Sequence, residues 1–187
     1  PMGIWGKHAE VANSSDEFAV PFKNINPVFD NYQDTVLLVD KGSKKVSSTV
    51  GHQLMHNHPY AKNRFNQANM HLSKLLGILH DGNINKFIEV TELEALTLHA
   101  MMMSSDPYFM LMKPNTLEII NKIWVFRKKT GLHICFTLDA GANVHVLFPE
   151  NEANEIREFI KTSLVMHCQN EQFIEDILGE GAQSIKI

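Results

Sequence analysis

The residue in this sequence that is best suited to chemistry is a carboxylate that follows a predicted strand. Asp139 comes directly after the apolar run 134–138 and opens the loop 139–143, in which Gly141 lets a ligand approach the backbone closely. A carboxylate at the end of a buried strand is costly to desolvate unless it has partners or a chemical role. The alternative is a hairpin in which Asp139 and Asn143 bond their own backbone, and spacing alone favours that simple turn.

A segment rich in hydroxyl groups is the second candidate site. Lys44 and Lys45 precede Ser47, Ser48 and Thr49, shortly after another predicted strand. Hydroxyls and free backbone N–H groups in such a loop can bind a diphosphate. Serine and threonine are also common in helix caps and solvated turns, and from spacing alone these structural alternatives are favoured.

Three histidines that lie close together, His52, His56 and His58, form the third candidate. Their spacing does not place them on one helical face, and no cysteine or carboxylate completes a usual ligand set, so we predict no metal site. His99 and the methionines at 101–103 are predicted to be core residues, with His99 hydrogen-bonded inside the core.

The secondary structure that must position these residues follows from the hydrophobic periodicity. Strands are predicted at 35–39, 134–138, 144–148 and 173–178. Helices are predicted at 59–79, 84–103 and 114–130, and a fourth helix is predicted to start near residue 149. This order predicts an α+β fold in which an antiparallel sheet of about four strands packs with helices.

Each predicted helix carries an apolar stripe that we expect to face the core. The stripe of the first helix contains Phe65, Leu72, Leu75, Leu76 and Leu79. The stripe of the second contains Phe87, Ile88, Leu93, Leu96 and Ala100. The third and fourth helices bear, respectively, Leu117, Ile120, Ile123 and Trp124, and Ile156, Ile160 and Leu164.

The overall composition excludes several classes of function. A formal net charge of −4 and a pI near 6.2 argue against nucleic acid or an anionic membrane as the main partner. No apolar run reaches the roughly 18 residues that a membrane helix needs, and no secretory signal is visible, so we expect a cytoplasmic protein. Cys135 and Cys168 are expected to be reduced thiols. No glycine-rich phosphate-binding fingerprint occurs, so binding of several phosphates would need help from another segment.

Several of these segments together resemble a known family. The run 46–51, the Leu98-His99-Ala100 step and above all the run 136–143 are similar, in this order and at similar separations, to diphosphomevalonate decarboxylases of the GHMP kinase superfamily. The segment Gly3-Ile4-Trp5 is similar to the part of that family just after its ATP-phosphate loop. The resemblance covers nearly the whole chain, and the last motif is more typical of the decarboxylases than of their kinase relatives.

The resemblance implies a reaction and roles for individual residues. ATP would phosphorylate the tertiary hydroxyl of mevalonate 5-diphosphate, and loss of phosphate and CO2 would then give isopentenyl diphosphate. Asp139 matches the catalytic aspartate that contacts this hydroxyl, as a base or as an orienting acceptor. Ser48 and Thr49 match positions that touch the substrate diphosphate, and Ala140 matches a position whose backbone approaches the ligand. The family also implies Mg²⁺ and a homodimer.

The resemblance further implies a division of the chain. Residues 1–33 would be a remnant of an upstream domain and its connection, and residues 34–187 would form a GHMP kinase C-terminal-type substrate domain. The ATP loop, an arginine-bearing segment and an N-terminal lysine of the family are not found in this sequence, so we expect ATP and Mg²⁺ to be bound through an upstream half and the chain to be inactive alone. Alanine at 142 and histidine at 52 replace the usual proline and methionine.

Two other functions fit the same sequence. A related GHMP small-molecule kinase would stop after phosphorylation and release no CO2. A non-catalytic binding or dimerisation module would tolerate the loss of Asp139 without any change in activity.

Overall fold

The computed structural model describes residues 2–42, 55 and 57–179. Near the start of the chain, two short strands, β1 (Gly3–Ile4) and β2 (Val20–Pro21), pair antiparallel. A single 3₁₀ turn, Pro27–Phe29, then leads into β3 (Gln33–Leu37), the first strand of the main sheet. The proposed division of the chain between residues 33 and 34 stays a prediction.

The main sheet has four strands, and each neighbouring pair is antiparallel. β4 (Cys135–Leu138), β5 (Val144–Phe148) and β6 (Phe173–Ile177) join β3 in the order β4-β5-β3-β6. Along the chain, helices lie between β3 and β4 and between β5 and β6. The topology is therefore a split βαβ arrangement. The predicted α+β fold with about four antiparallel strands is confirmed.

The first strand of this sheet begins and ends two residues earlier than predicted. Gln33 and Asp34 pair with β5 and β6, so two polar residues that precede the predicted strand belong to it. Leu38 no longer follows the ladder: its N–H donates to the Gln172 carbonyl and its own carbonyl accepts from the Gln169 N–H. The apolar run did not predict the ends of this strand, because a strand ends where its backbone hydrogen-bond partners change.

Among the described residues between β3 and β4 there are three long helices. They are α1 (Ala61–Asp81), α2 (Ile84–Met103) and α3 (Pro114–Thr130). Gly82 and Gly131 end α1 and α3 in the left-handed conformation that glycine adopts without strain, with φ of 77° and 76°. Within the described part of the chain, no helix is both long and apolar enough to cross a membrane.

The fourth predicted helix is a composite. α4 (Ala153–Phe159) follows a 3₁₀ turn and continues into the π-helical segment Ile160–Leu164 and a further 3₁₀ turn. Its predicted stripe is confirmed, since Ile156, Ile160 and Leu164 are all buried. These side chains pack with α3 on the inner face of the sheet, in one core cluster with Phe136, Val146 and Phe148.

The predicted faces of α1 and α2 were wrong in part. None of the five apolar residues predicted for the α1 stripe is buried, and Phe65 is 42% exposed. The buried residues of α1 are Ala61, Arg64 and His71. Arg64 and His71 both contact the carboxylate of Glu94 on α2, so a polar cluster occupies the interface that the apolar pattern was expected to form.

On α2 and α3 the buried stripe is rotated relative to the prediction. Leu93 and Ala100 of α2 are exposed, whereas Ala95, His99 and the methionines Met101 and Met102 are buried. On α3, Ile120 and Ile123 are buried as predicted, but Leu117 is 49% exposed. Met103, which was expected in the core, is also largely exposed.

Both cysteines are free thiols inside the structure. Cys135 is completely buried in β4 and Cys168 is 8% exposed. Burial raises the pKa of the Cys135 thiol far above its ordinary value and raises the pKa of Cys168 to about 11. The predicted reduced thiols are therefore confirmed, and neither is disposed to react.

One buried carboxylate joins α2 to α3. Glu92 is 7% exposed, and its two oxygens accept from both terminal nitrogens of Arg127, at 2.6 and 3.0 Å, and from the Trp124 indole N–H at 2.9 Å. Hydrogen bonding to Glu92 raises the pKa of Arg127 above its usual range. Arg127 also donates to the Ile134 carbonyl, which links both helices to the start of β4.

Replacing Glu92 tests how much this link contributes. Glu92→Ala leaves the Arg127 guanidinium without its carboxylate in a mostly buried site, so we expect the free energy of unfolding to fall by about 3 kcal/mol. Glu89→Ala removes an exposed i,i+3 pair with Lys86 on the same helix and should change it by less than about 0.5 kcal/mol. Urea unfolding followed by circular dichroism measures both. Equal effects of the two substitutions would contradict the assignment.

Candidate active site

The candidate site lies at one end of the sheet, where the register brings distant segments together. Leu138, Val144 and Leu37 are consecutive partners across β4, β5 and β3. The loop 139–143 and the residues that leave β3 therefore start from adjacent positions. The hydroxyl-rich segment predicted to bind diphosphate begins only a few residues beyond Asp40.

Asp139 is placed at the rim of this end. The residue is exposed, so its carboxylate does not carry the desolvation cost that was inferred from the sequence. Its carbonyl accepts from the Gly141 N–H at 2.7 Å, which folds the backbone into a tight turn. Ala140, between them, is partly buried. The turn thus presents a carboxylate, beside backbone that a ligand can approach, at the end of a rigid strand.

Contacts to other elements hold the loop in place. The Asn143 side-chain oxygen accepts from the Asp40 N–H at 3.0 Å, across to the end of β3. The hydroxyl of Thr116, a fully buried residue in the first turn of α3, donates to the Ala142 carbonyl at 2.7 Å. The self-contained turn that spacing favoured is therefore wrong for Asn143.

A buried histidine of α2 lies near the loop. His99 is 2% exposed. Burial lowers the pKa of His99 below its ordinary value, and the influence of Asp139 offsets this only partly. The prediction that His99 is a core residue is confirmed, and its hydrogen bonding stays a prediction.

One lysine borders the site. Lys113, just before α3, forms an ion pair with the Asp40 carboxylate, which also accepts from the Gly42 N–H at 2.9 Å. The hydrogen bond from Lys113 and then that from Gly42 hold the pKa of Asp40 below its usual range. Sequence reasoning missed this pair because 73 positions along the chain separate the two residues, and nothing local couples them.

A histidine-carboxylate pair lies on the outer face of the sheet beside the loop. The Nδ1 atom of His145 in β5 is 2.9 Å from Oδ2 of Asp34 in β3. The hydrogen bond that His145 donates to Asp34 raises the pKa of His145, and the charge of Asp139 acts in the same direction. Sequence analysis did not predict this pair, because the predicted strand 35–39 starts after Asp34 and no partner was assigned to His145.

Several predicted site residues lie outside the described part of the chain. Ser48 and Thr49 are among them, as are His52 and His56, so their predicted roles stay predictions. His58 is described, and its Nε2 is 3.0 Å from the Ser104 hydroxyl. Among residues 2–42, 55 and 57–179, no three His, Cys, Asp or Glu side chains are placed to hold a metal ion.

The described residues do not by themselves fit ATP with Mg²⁺. The two basic groups identified near Asp139, Lys113 and His145, are each already paired with a carboxylate. A groove of about 590 Å³ exists between α3 and α4, lined partly by Phe126 and Phe159, but it contains no residue of the loop 139–143. The residues that line this groove give no chemical reason to prefer it, as the candidate active site, to the end of the sheet that bears the loop 139–143.

The contact between Thr116 and the loop can be tested by an isosteric change. Thr116→Val removes the hydroxyl that donates to the Ala142 carbonyl in a fully buried position, so the free energy of unfolding should fall by about 1–3 kcal/mol. Thr162→Val is the matched control, because Thr162 bonds only within its own exposed helical turn and should change stability by less than about 0.5 kcal/mol. Chemical unfolding measures the free energy of unfolding of both variants. If Thr116→Val left this free energy unchanged, the contact would not hold the loop.

The His145–Asp34 pair predicts a pH dependence. A raised pKa in the folded state means that the pair stabilises the fold fully below the unfolded pKa of about 6.5 and loses this contribution as pH rises through the folded pKa. The difference in unfolding free energy between the original chain and His145→Gln should therefore shrink from about pH 6 to about pH 8. Urea unfolding at several pH values measures it. Asp34→Asn should abolish the same trend, and a difference that grows with pH would contradict the pairing.

The fold has counterparts in known proteins. Residues 35–186 match the family of the mevalonate 5-diphosphate decarboxylase C-terminal domain. The curated phosphomevalonate decarboxylase of Haloferax volcanii is 24% identical over 82 residues, which are 44% of this chain and 25% of that protein.

Solved structures agree with this match. Mevalonate diphosphate decarboxylase from Staphylococcus aureus superposes with a TM-score of 0.78 and 25% identity, over 92% of this chain and 51% of that chain. The complex of MDDEF with MVAPP, AMPPCP and magnesium superposes with a TM-score of 0.72 and 23% identity, over 86% of this chain and 48% of that chain. The chain spans about half the length of these solved structures. Since the family match covers most of its residues, the chain belongs to the mevalonate 5-diphosphate decarboxylase C-terminal domain family.

Proposed function

We propose that this chain forms the substrate-side domain of an ATP-dependent decarboxylase that converts mevalonate 5-diphosphate to isopentenyl diphosphate, with Asp139 as the catalytic carboxylate. The family match supports the reaction class, and the placement of Asp139 supports the assignment of the residue. Residues 34–187 would be this domain, and residues 1–33 the connection to an upstream domain.

The observation that carries the proposal is an exposed carboxylate on a fixed backbone. Asp139 directly follows β4, and two different elements contact the loop that it opens: α3 through Thr116, and the end of β3 through the hydrogen bond from Asp40 to Asn143. A loop that only had to connect two strands would not need such anchoring. A carboxylate that must meet a substrate atom at a defined position does.

The proposed role of Asp139 is to orient the substrate hydroxyl, which depends on the position of its carboxylate. The tertiary hydroxyl of the substrate would donate a hydrogen bond to the carboxylate, so its oxygen is oriented for attack on the terminal phosphorus of ATP. Phosphoryl transfer relies mainly on positioning and electrostatics, so orientation matters more than removal of the proton. The phosphorylated carbon then loses phosphate while the carboxyl group leaves as CO2, and the electron pair of the broken C–C bond forms the new double bond.

Positive charge must reach this site from elsewhere. Substrate and nucleotide phosphates would raise the pKa of Asp139 unless cations offset them. Lys113 and His145 are paired with carboxylates, so we propose that Ser48 and Thr49, with the preceding lysines, bind the diphosphate and that Ala140 borders it. The solved MDDEF complex contains AMPPCP and magnesium, and we propose that ATP and Mg²⁺ would be bound by a part of the protein outside this chain. A cytoplasmic location and a homodimer complete the proposal.

A closely related substrate is the second candidate. The curated relative from Haloferax volcanii is named a phosphomevalonate decarboxylase. The substrate in that name has one phosphate group fewer than mevalonate 5-diphosphate. The reaction at the tertiary hydroxyl would be the same, and only the phosphate-binding residues would differ. Turnover should therefore be measured with mevalonate 5-diphosphate and mevalonate 5-phosphate side by side.

Asp139→Asn tests the proposal in the full-length gene product that contains this chain. We expect the unchanged protein to release ADP and CO2 in equal amounts from ATP and mevalonate 5-diphosphate. The variant should lower kcat by about 10²–10⁴-fold, because an amide neither accepts the hydroxyl proton nor orients the hydroxyl as a carboxylate does. Coupled assays of ADP and CO2 measure both products.

Asp81→Asn is the control for this experiment, since Asp81 is an exposed aspartate at the end of α1. It should leave kcat unchanged. Release of ADP without CO2 would support a small-molecule kinase instead. Activity that is equally indifferent to both substitutions would remove Asp139 from the reaction, and no turnover at all would favour a binding module.

A further inference from the structure

The first turn of α3 connects the loop of the candidate site to the chain that leaves β3. The Lys113 N–H donates to the Thr116 hydroxyl oxygen at 3.1 Å, and the Thr116 hydroxyl donates to the Ala142 carbonyl at 2.7 Å. On its other side, the Lys113 ammonium pairs with the Asp40 carboxylate. The Asp40 N–H in turn donates to the Asn143 side-chain oxygen at 3.0 Å. These contacts form a closed ring that joins α3, the exit of β3 and the loop.

The Asp40–Lys113 pair closes this ring beyond the end of the sheet. The ladder between β3 and β5 ends at Leu37, and residues 38–42 continue past it. The Asp40 carboxylate also accepts from the Gly42 N–H at 2.9 Å, which turns the chain directly after the pair. The pair therefore holds the exit of β3 against α3 just before the segment that is predicted to bind diphosphate.

The exposure of this pair limits its contribution to stability. The side chains of Asp40 and Lys113 are 32% and 53% exposed, and ion pairs of this kind contribute little to folding. Thr116, which makes the neighbouring link of the ring, is by contrast fully buried. The main effect of the pair is therefore on geometry, because it restricts the motion of the β3 exit relative to the loop.

We propose that Asp40 and Lys113 are positioning residues of the candidate active site: their ion pair holds the exit of β3 and the loop 139–143 at one separation, so that Asp139 meets the substrate hydroxyl at a defined place. The effect on turnover rests on the proposed function, whereas the ring of contacts does not. Neither residue touches substrate or nucleotide in this scheme. A small displacement of a reacting group lowers a rate strongly, so a pair that adds little stability can still matter for turnover.

Two neutral substitutions in the full-length gene product remove the pair with little other change. Asp40→Asn keeps a side-chain oxygen for the Gly42 N–H, and Lys113→Met keeps the apolar part of the side chain. We expect each variant to lower kcat about 3–10-fold, with KM changed by less than about twofold and the melting temperature by less than about 3 °C. The double variant should be no slower than the slower single variant, because both substitutions remove the same contact.

A direct role of Lys113 in binding predicts a different pattern. If Lys113 bound a substrate phosphate, Lys113→Met would raise KM, whereas Asp40→Asn would leave KM unchanged or lower it, because the ammonium would be released. Effects of opposite sign in the two variants would overturn the proposal. A double variant in which the two losses multiply would also overturn it, as would an unchanged kcat in all three variants.

The exposed pair of Lys86 and Glu89 on α2 supplies the matched control. Lys86→Met and Glu89→Gln remove an ion pair between the same types of group, but neither residue belongs to the ring. Both variants should leave kcat and KM unchanged. A loss of kcat as large as that in Lys113→Met would mean that the effect comes from surface charge in general, which would contradict positioning by the ring.

Amide hydrogen exchange, followed by mass spectrometry of peptides that cover residues 38–42 and 139–143, tests the ring without any turnover. Exchange in both peptides should become faster in Asp40→Asn and in Lys113→Met, and should stay at the original rate in Lys86→Met. If the original protein releases no CO2 but this exchange pattern is found, the proposed function fails and the holding of the loop by the pair stands. Exchange that is the same in all variants would overturn the inference even in an active enzyme.

Discussion

Strand β5 is hydrogen-bonded on both sides, to β3 and to β4, and the register of these two pairings determines where the candidate site forms. With Val144 opposite both Leu37 and Leu138, the loop 139–143 and the exit of β3 must leave the sheet at neighbouring positions. A slip of one residue would turn the buried Val144 and Val146 to the opposite face. The core beneath α3 and α4 therefore fixes the register, and the register fixes the site.

The loop obtains its geometry from elements that are far apart in the sequence. Thr116 and Asn143 each make a contact that joins the loop to a different element. Both elements are held by the common sheet or its core, so the position of Asp139 depends on the whole domain. The preorganisation that the proposed phosphoryl transfer needs would thus come from the fold and not from the loop sequence.

The parts of this structure that could be predicted are those with strong local signals. Strict alternation located β4 and β5, and Pro114 and Gly131 bounded α3. The α1 face could not be predicted, because its interface uses the Arg64–Glu94 pair, and charge pairs across helices leave no period in one sequence. The contacts of Asp139 were hidden for the same reason: the residue was found from its motif, but its partners lie on other elements.

The two buried thiols can be used to follow the opening of this domain. Cys135 lies in the strand that ends at Asp139 and has no exposed surface, while Cys168 lies near the end of the composite helix and is slightly exposed. Only a thiolate reacts with alkylating reagents, and both groups are protonated and enclosed in the native state. Labelling of Cys135 therefore requires β4 to become accessible, and its rate equals the opening rate of the strand when the reagent reacts faster than the strand recloses. The opening of the strand that precedes the proposed catalytic carboxylate can thus be timed without a substrate.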